Sequence, residues 1–132
     1  MLSRWFQKKK PQLTGAPAVR RQKTYSAQSG YVYQYFYEGH RRAPAERAME
    51  YVFEVSADRR NSLPVSVLLS DEAVESWESE RGRALSGTER YALAKMALFQ
   101  AFDERETPEA MGRAVSVTPA DVRAILATLD IN

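Results

Sequence analysis

Apolar residues recur at helical spacing through Ser86–Arg105 and alternate at strand spacing in three earlier stretches; these two periods predict most of the architecture. In SGTERYALAKMALFQAFDER, Ser86 and Glu89 form an S-x-x-E capping pattern. Strong helix formers from Ala92 to Leu98 follow it. At about 100° per residue, Tyr91, Ala94, Leu98, Ala101 and Phe102 make one apolar stripe, and Ala92, Met96 and Phe99 make a second. A helix that is apolar on two sides needs two neighbours. The pattern predicts a sheet on one side and another helix on the other. A sharper alternative is a homodimer contact anchored by Phe99 and Phe102.

Strand-type alternation appears first in Tyr31–Tyr37, where four tyrosines fall on one face and Val32, Gln34 and Phe36 on the other. Gly39 is expected to end this strand, with residues 39–48 as a connecting loop. Met49–Ser56 reads as a second strand, with Met49, Tyr51, Phe53 and Val55 inward and Glu50 and Glu54 on a solvated outer face. Pro64–Leu69 is the third. The short connections between them predict an antiparallel meander.

Ser70-Asp71-Glu72 starts a helix that runs to about Arg81, with Ala73, Val74 and Trp77 on one side and Gly82 as its stop. Thr107-Pro108 predicts a brief helical turn to Met111, and Ala114–Val117 a short extended edge piece. Thr118-Pro119-Ala120-Asp121 caps a last helix to about Leu129, whose apolar side carries Val122, Ile125, Leu126 and Leu129. Strands first and helices after them predict an α+β fold: a small antiparallel meander of three strands, with a short fourth at Ala114–Val117, covered on one face by two to three helices.

Charge divides the chain in two. Residues 1–37 hold seven basic residues and no acidic one, a net +7, whereas residues 38–132 hold 12 basic against 17 acidic residues, a net −5. Residues 1–28 are read as a basic, mostly disordered arm on a single domain spanning 29–132, because apolar content is low there and Pro11, Gly15 and Pro17 interrupt any helix. The chain has no cysteine, which excludes disulfides and thiolate chemistry and fits a reducing, cytoplasmic setting. No apolar run reaches the roughly 18 residues of a membrane span. Leu2, Trp5 and Phe6 beside Lys8–Lys10 give the arm two alternative uses, attachment to an anionic membrane surface or organelle targeting.

Candidate chemistry is thin. His40 is the only histidine, and no Walker loop, dinucleotide fingerprint or metal-ligand spacing is present, so neither a cofactor nor a metal site is predicted. Glu50 and Glu54 would lie roughly 13 Å apart on one strand face, wide for a glycosidase pair. His40, Arg41 and Arg42 form a candidate polar or anion site, and Arg59-Arg60 lies at the other end of the second strand from it. The chain therefore reads as a non-enzymatic binding module with an acidic partner, be it protein, nucleic acid or anionic membrane. Its contact residues are expected to be Arg4, Lys8, Lys9, Lys10, Arg20, Arg21 and Lys23. In the nucleic-acid alternative, Tyr33 and Tyr35 also offer rings for bases to stack on, against the plainer reading of the tyrosines as core. An enzyme with an unrecognised site is the third reading.

Overall fold

A computed structural model describes residues 10–132; Leu2, Arg4, Trp5, Phe6, Lys8 and Lys9 lie outside the described residues. The fold is α+β. Its strands are β1 (Lys23–Ser26), β2 (Val32–Ala43), β3 (Ala48–Ser56), β4 (Leu63–Ser70) and β5 (Val115–Val117). Its helices are α1 (Asp71–Arg81), α2 (Gly87–Glu104) and α3 (Pro119–Thr128). The strands form one curled sheet in the order β1-β2-β3-β4-β5, antiparallel except for the β4–β5 pair, which is parallel. The expected meander is β2-β3-β4. β5 is the short fourth strand expected at Ala114–Val117, and it pairs parallel; the sheet is wider than expected by one strand, β1.

Helix ends follow the sequence signals. The Ser70 hydroxyl accepts from the Ala73 amide at the start of α1, and Gly82 ends it in the left-handed conformation, φ 69°. Ser86 and Glu89 make both bonds of the capping box on α2, and Thr118 and Asp121 do the same on α3. A bond from Arg83, then one from the Ser86 amide, hold the Glu89 carboxyl down at about 2.

All three helices bury apolar faces against one side of the sheet. Phe53, Val55, Val65, Val67 and Leu69 from the strands meet Trp77, Leu93, Leu98, Phe102, Ile125 and Leu126 from the helices in a single core. α3 packs on α1 and α2.

Three expectations are corrected. First, β2 does not stop at Gly39. Glu38 is the extra residue of a β-bulge, because Tyr37 pairs with Phe53 and Gly39 with the very next residue, Val52. The bulge reverses which residues face the helices, so Tyr33, Tyr35 and Tyr37 face them before it and His40 and Arg42 after it. Simple alternation cannot anticipate this.

Second, parts of the arm join the sheet. Thr14 and His40 exchange backbone hydrogen bonds of 2.9 and 2.8 Å, so the arm crosses β2 at its bulge. Two glycines permit the crossing. A Cβ on Gly39 (φ 118°) would lie 2.6 Å from the Thr14 carbonyl oxygen, and one on Gly15 (φ 81°) would lie 2.6 Å from the His40 ring. Further along, Lys23–Ser26 pairs with Val32–Tyr35 as β1. Low apolar content misled the composition reading, because one aromatic ring and a backbone ladder suffice to dock this segment.

Third, that ring covers the second stripe of α2. Tyr25 stacks on Phe99 at 4.3 Å and lies 5.7 Å from Phe102, and its hydroxyl donates to Asp103 at 2.8 Å. Phe102 is fully buried within its own chain. Phe102 thus serves intrachain packing, and Phe99, half-buried, packs on Tyr25 of the same chain.

Candidate functional site

Residues 20–23, Arg-Arg-Gln-Lys, run along the outer edge of β2 just ahead of β1. Lys23 is in register with Tyr35, and an extended chain alternates its side chains between the two sheet faces. Arg20 and Gln22 therefore go to the open face, and Arg21 and Lys23 to the helix-covered face. The contacts agree. The Arg20 guanidinium lies 3.7 Å over the Phe36 ring and donates to Glu38 Oε1 at 2.6 and 2.9 Å. Phe36 is an open-face residue ahead of the bulge, and Glu38 is the bulge residue itself.

Arg21 and Lys23 are exposed and form no ion pair among the described residues. They stand on the rim of a groove of about 470 Å³ between residues 17–19 and the rings of Tyr35, Tyr37 and Tyr91. No carboxylate lines it. The rings are packed against neighbours. Tyr37 lies 4.7 Å from Tyr91 and 5.3 Å from Phe53, and Tyr35 meets Phe99 edge-on at 5.7 Å. Burial pushes the Tyr35 hydroxyl up to about 12 and raises Tyr37 and Tyr91 as well, so these hydroxyls stay protonated and keep a proton to donate.

A second groove, of about 240 Å³, opens on the other face. Arg20, Gln22, Gln34 and Phe36 meet Arg59 and Arg60 of the β3–β4 hairpin there, with Glu54 among them. The hairpin is held by the Asp58 carboxylate, which accepts from the Arg60 and Asn61 amides at 2.9 and 2.8 Å. A third groove, about 530 Å³, lies farther along this face between Lys10-Pro11, residues 42–46 and the β3–β4 strands. Glu50 sits in it, 7% exposed and not solvated as expected. Its carboxylate accepts from Arg41 Nε at 2.8 Å and from the Ser66 hydroxyl. Burial pushes the Glu50 carboxyl up, but the Arg41 and Ser66 bonds outweigh it and leave the group below the usual carboxylate range.

The predicted site residues are thus dispersed. His40, Arg41 and Arg42 do not form one site. The His40 Nδ1 is 2.9 Å from the Tyr37 hydroxyl on the helix side, and its ring lies 5.4 Å from Tyr51. Arg41 points to the opposite face and is engaged by Glu50. Arg42 makes a two-pronged pair with Asp71 at 2.8 and 2.7 Å. His40 lines none of the three grooves. Tyr33 and Tyr35 are 0 and 4% exposed, and Tyr33 is stacked on Phe102 at 4.2 Å, so neither offers a face to a nucleic-acid base. Sequence reasoning missed Tyr91 and Val19 as groove residues. Tyr91 was assigned wholly to the core stripe of α2, and nothing in the chain order links it to the arm.

Among the described residues no cluster of three or more His, Asp or Glu side chains could hold a metal ion, and no helix is long and apolar enough to cross a membrane. No known protein family, no curated protein and no solved structure matches the chain.

Proposed function

We propose that this protein is a non-enzymatic binding module that captures an acidic partner through the folded part of its basic arm. The observation that carries the reading is the placement of Arg21 and Lys23. Both are exposed, both lack an acidic partner among the described residues, and both stand over a concave groove without a carboxylate. Unpaired cations on a concave rim concentrate negative charge, and their field is weakened by salt. Arg20, Arg41 and Arg42 each hold a carboxylate of their own chain.

Fluorescence anisotropy with a labelled polyglutamate peptide tests this. The full chain should bind it at low ionic strength and release it as salt rises. The double variant Arg21→Glu/Lys23→Glu should lose at least tenfold in affinity, and Arg123→Glu on α3 should lose little. Equal binding by the double variant and the wild type overturns the reading.

A further inference from the structure

The groove beside Arg21 and Lys23 has more apolar wall than an anion needs. Val19 is a large apolar side chain left 64% exposed at its lip. Residues 17–19 are Pro-Ala-Val, and the floor is tyrosine ring. A purely ionic partner would use the two cations and leave this wall wet. The volume of about 470 Å³ falls within the range of ligand pockets, which combine mostly apolar walls with a few placed polar groups. Here those groups are the two cations and the hydroxyls of Tyr35 and Tyr91.

We infer that the groove binds an extended acidic peptide segment that carries an apolar side chain on the same face as two carboxylates. The inference rests on the acidic-partner reading and names its chemistry. Arg21 and Lys23 are two residues apart on extended chain, which sets them roughly 7 Å from each other on one side. Carboxylates at positions i and i+2 of an extended peptide have the same spacing. An apolar side chain at i−2 or i+4 of such a peptide lies on the same face as the two carboxylates and meets Val19 and the Tyr37–Tyr91 pair. β1 is also the outermost strand of the sheet, with β2 on one side only, so a peptide approaching this edge finds unpaired backbone next to the cations.

Nucleic acid fits less well. The tyrosine rings that line the groove are packed against Phe53, Phe99 or one another, so a base finds edges and hydroxyls and no free face. A polyanion also extends past the groove onto a body with 17 acidic residues against 12 basic ones, whereas a short peptide meets only the local positive field.

The test uses the full chain and three labelled probes: a Phe-Ser-Glu-Ser-Glu peptide with neutral flanks, the same peptide with serine for phenylalanine, and a single-stranded oligonucleotide. The phenylalanine peptide should bind at least tenfold tighter than the serine peptide. Val19→Asp should abolish that difference while leaving the thermal melt unchanged, because Val19 is exposed. Arg21→Glu/Lys23→Glu should weaken both peptides. Equal affinity for the two peptides overturns the apolar part and leaves the acidic-partner reading standing. Absence of binding by both peptides, or binding unaffected by the charge reversal, overturns both. Tighter binding of the oligonucleotide than of the phenylalanine peptide overturns the peptide assignment in favour of nucleic acid.

Discussion

Replacing Tyr33 separates two roles that its sequence context leaves open. Its ring is 0% exposed and stacks on Phe102 at 4.2 Å with a 10° interplanar angle. Its hydroxyl is buried and has no hydrogen-bond partner among the described residues. Truncation to alanine removes a fully buried aromatic, which costs about 3–5 kcal/mol including the cavity left behind. For a chain of this size that is a fall in melting temperature of roughly 10–20 °C. Tyr33→Phe removes only the hydroxyl. A buried hydroxyl without a partner is a net cost, so the phenylalanine variant should match the wild type or exceed it by up to about 1 kcal/mol. Urea unfolding followed by far-ultraviolet circular dichroism measures both. A loss below about 1 kcal/mol for Tyr33→Ala, or a loss above that for Tyr33→Phe, would refute the reasoning.

Three further outcomes follow from the same contacts. Gly39→Ala should loosen the arm, because its Cβ would stand 2.6 Å from the Thr14 carbonyl oxygen; limited proteolysis should then cut within residues 10–22 faster than in the wild type. Glu50→Ala should cost about 3 kcal/mol or more, since it strands Arg41 beside a buried site, while Arg41→Met/Glu50→Leu recovers most of the loss in a denaturant titration. The Glu50 carboxyl is lower in the folded chain than its ordinary value of 4.5, so its stabilising share is present above that pH and fades as pH falls below it. At the alkaline end the sign reverses. The hydroxyls of Tyr33, Tyr35, Tyr37, Tyr51 and Tyr91 all lie above the ordinary 10.0, so their contribution is complete below pH 10.0 and is lost as pH rises above it, for Tyr35 through about 12. Tyrosinate absorbance should therefore appear together with the loss of circular dichroism; early ionisation with the fold intact would contradict the burial.

Periodicity and capping chemistry are local, and what depended on them was legible in the sequence. Ser70, Ser86 and Thr118 cap the three helices through bonds to residues three positions away. Tyr51, Phe53, Val65 and Val67 lie in the core because strand alternation is set by the pleat. The positive arm and the negative body were equally visible, since charge needs only counting.

Tertiary structure decided the rest. The continuation of β2 past Gly39 put His40 and Arg42 on one face and Arg41 on the other, dividing a candidate site that looked continuous, and the bulge at Glu38 set which face each of them takes. Tyr25 docked a polar segment onto Phe99, one of the two aromatic residues expected to face a second copy. The groove joins Arg21 to Tyr91, 70 positions along the chain. Each of these depends on which strands pair and in what register. Long-range register comes from the summed fit of many side chains and backbone bonds, and no local stretch of sequence carries that sum.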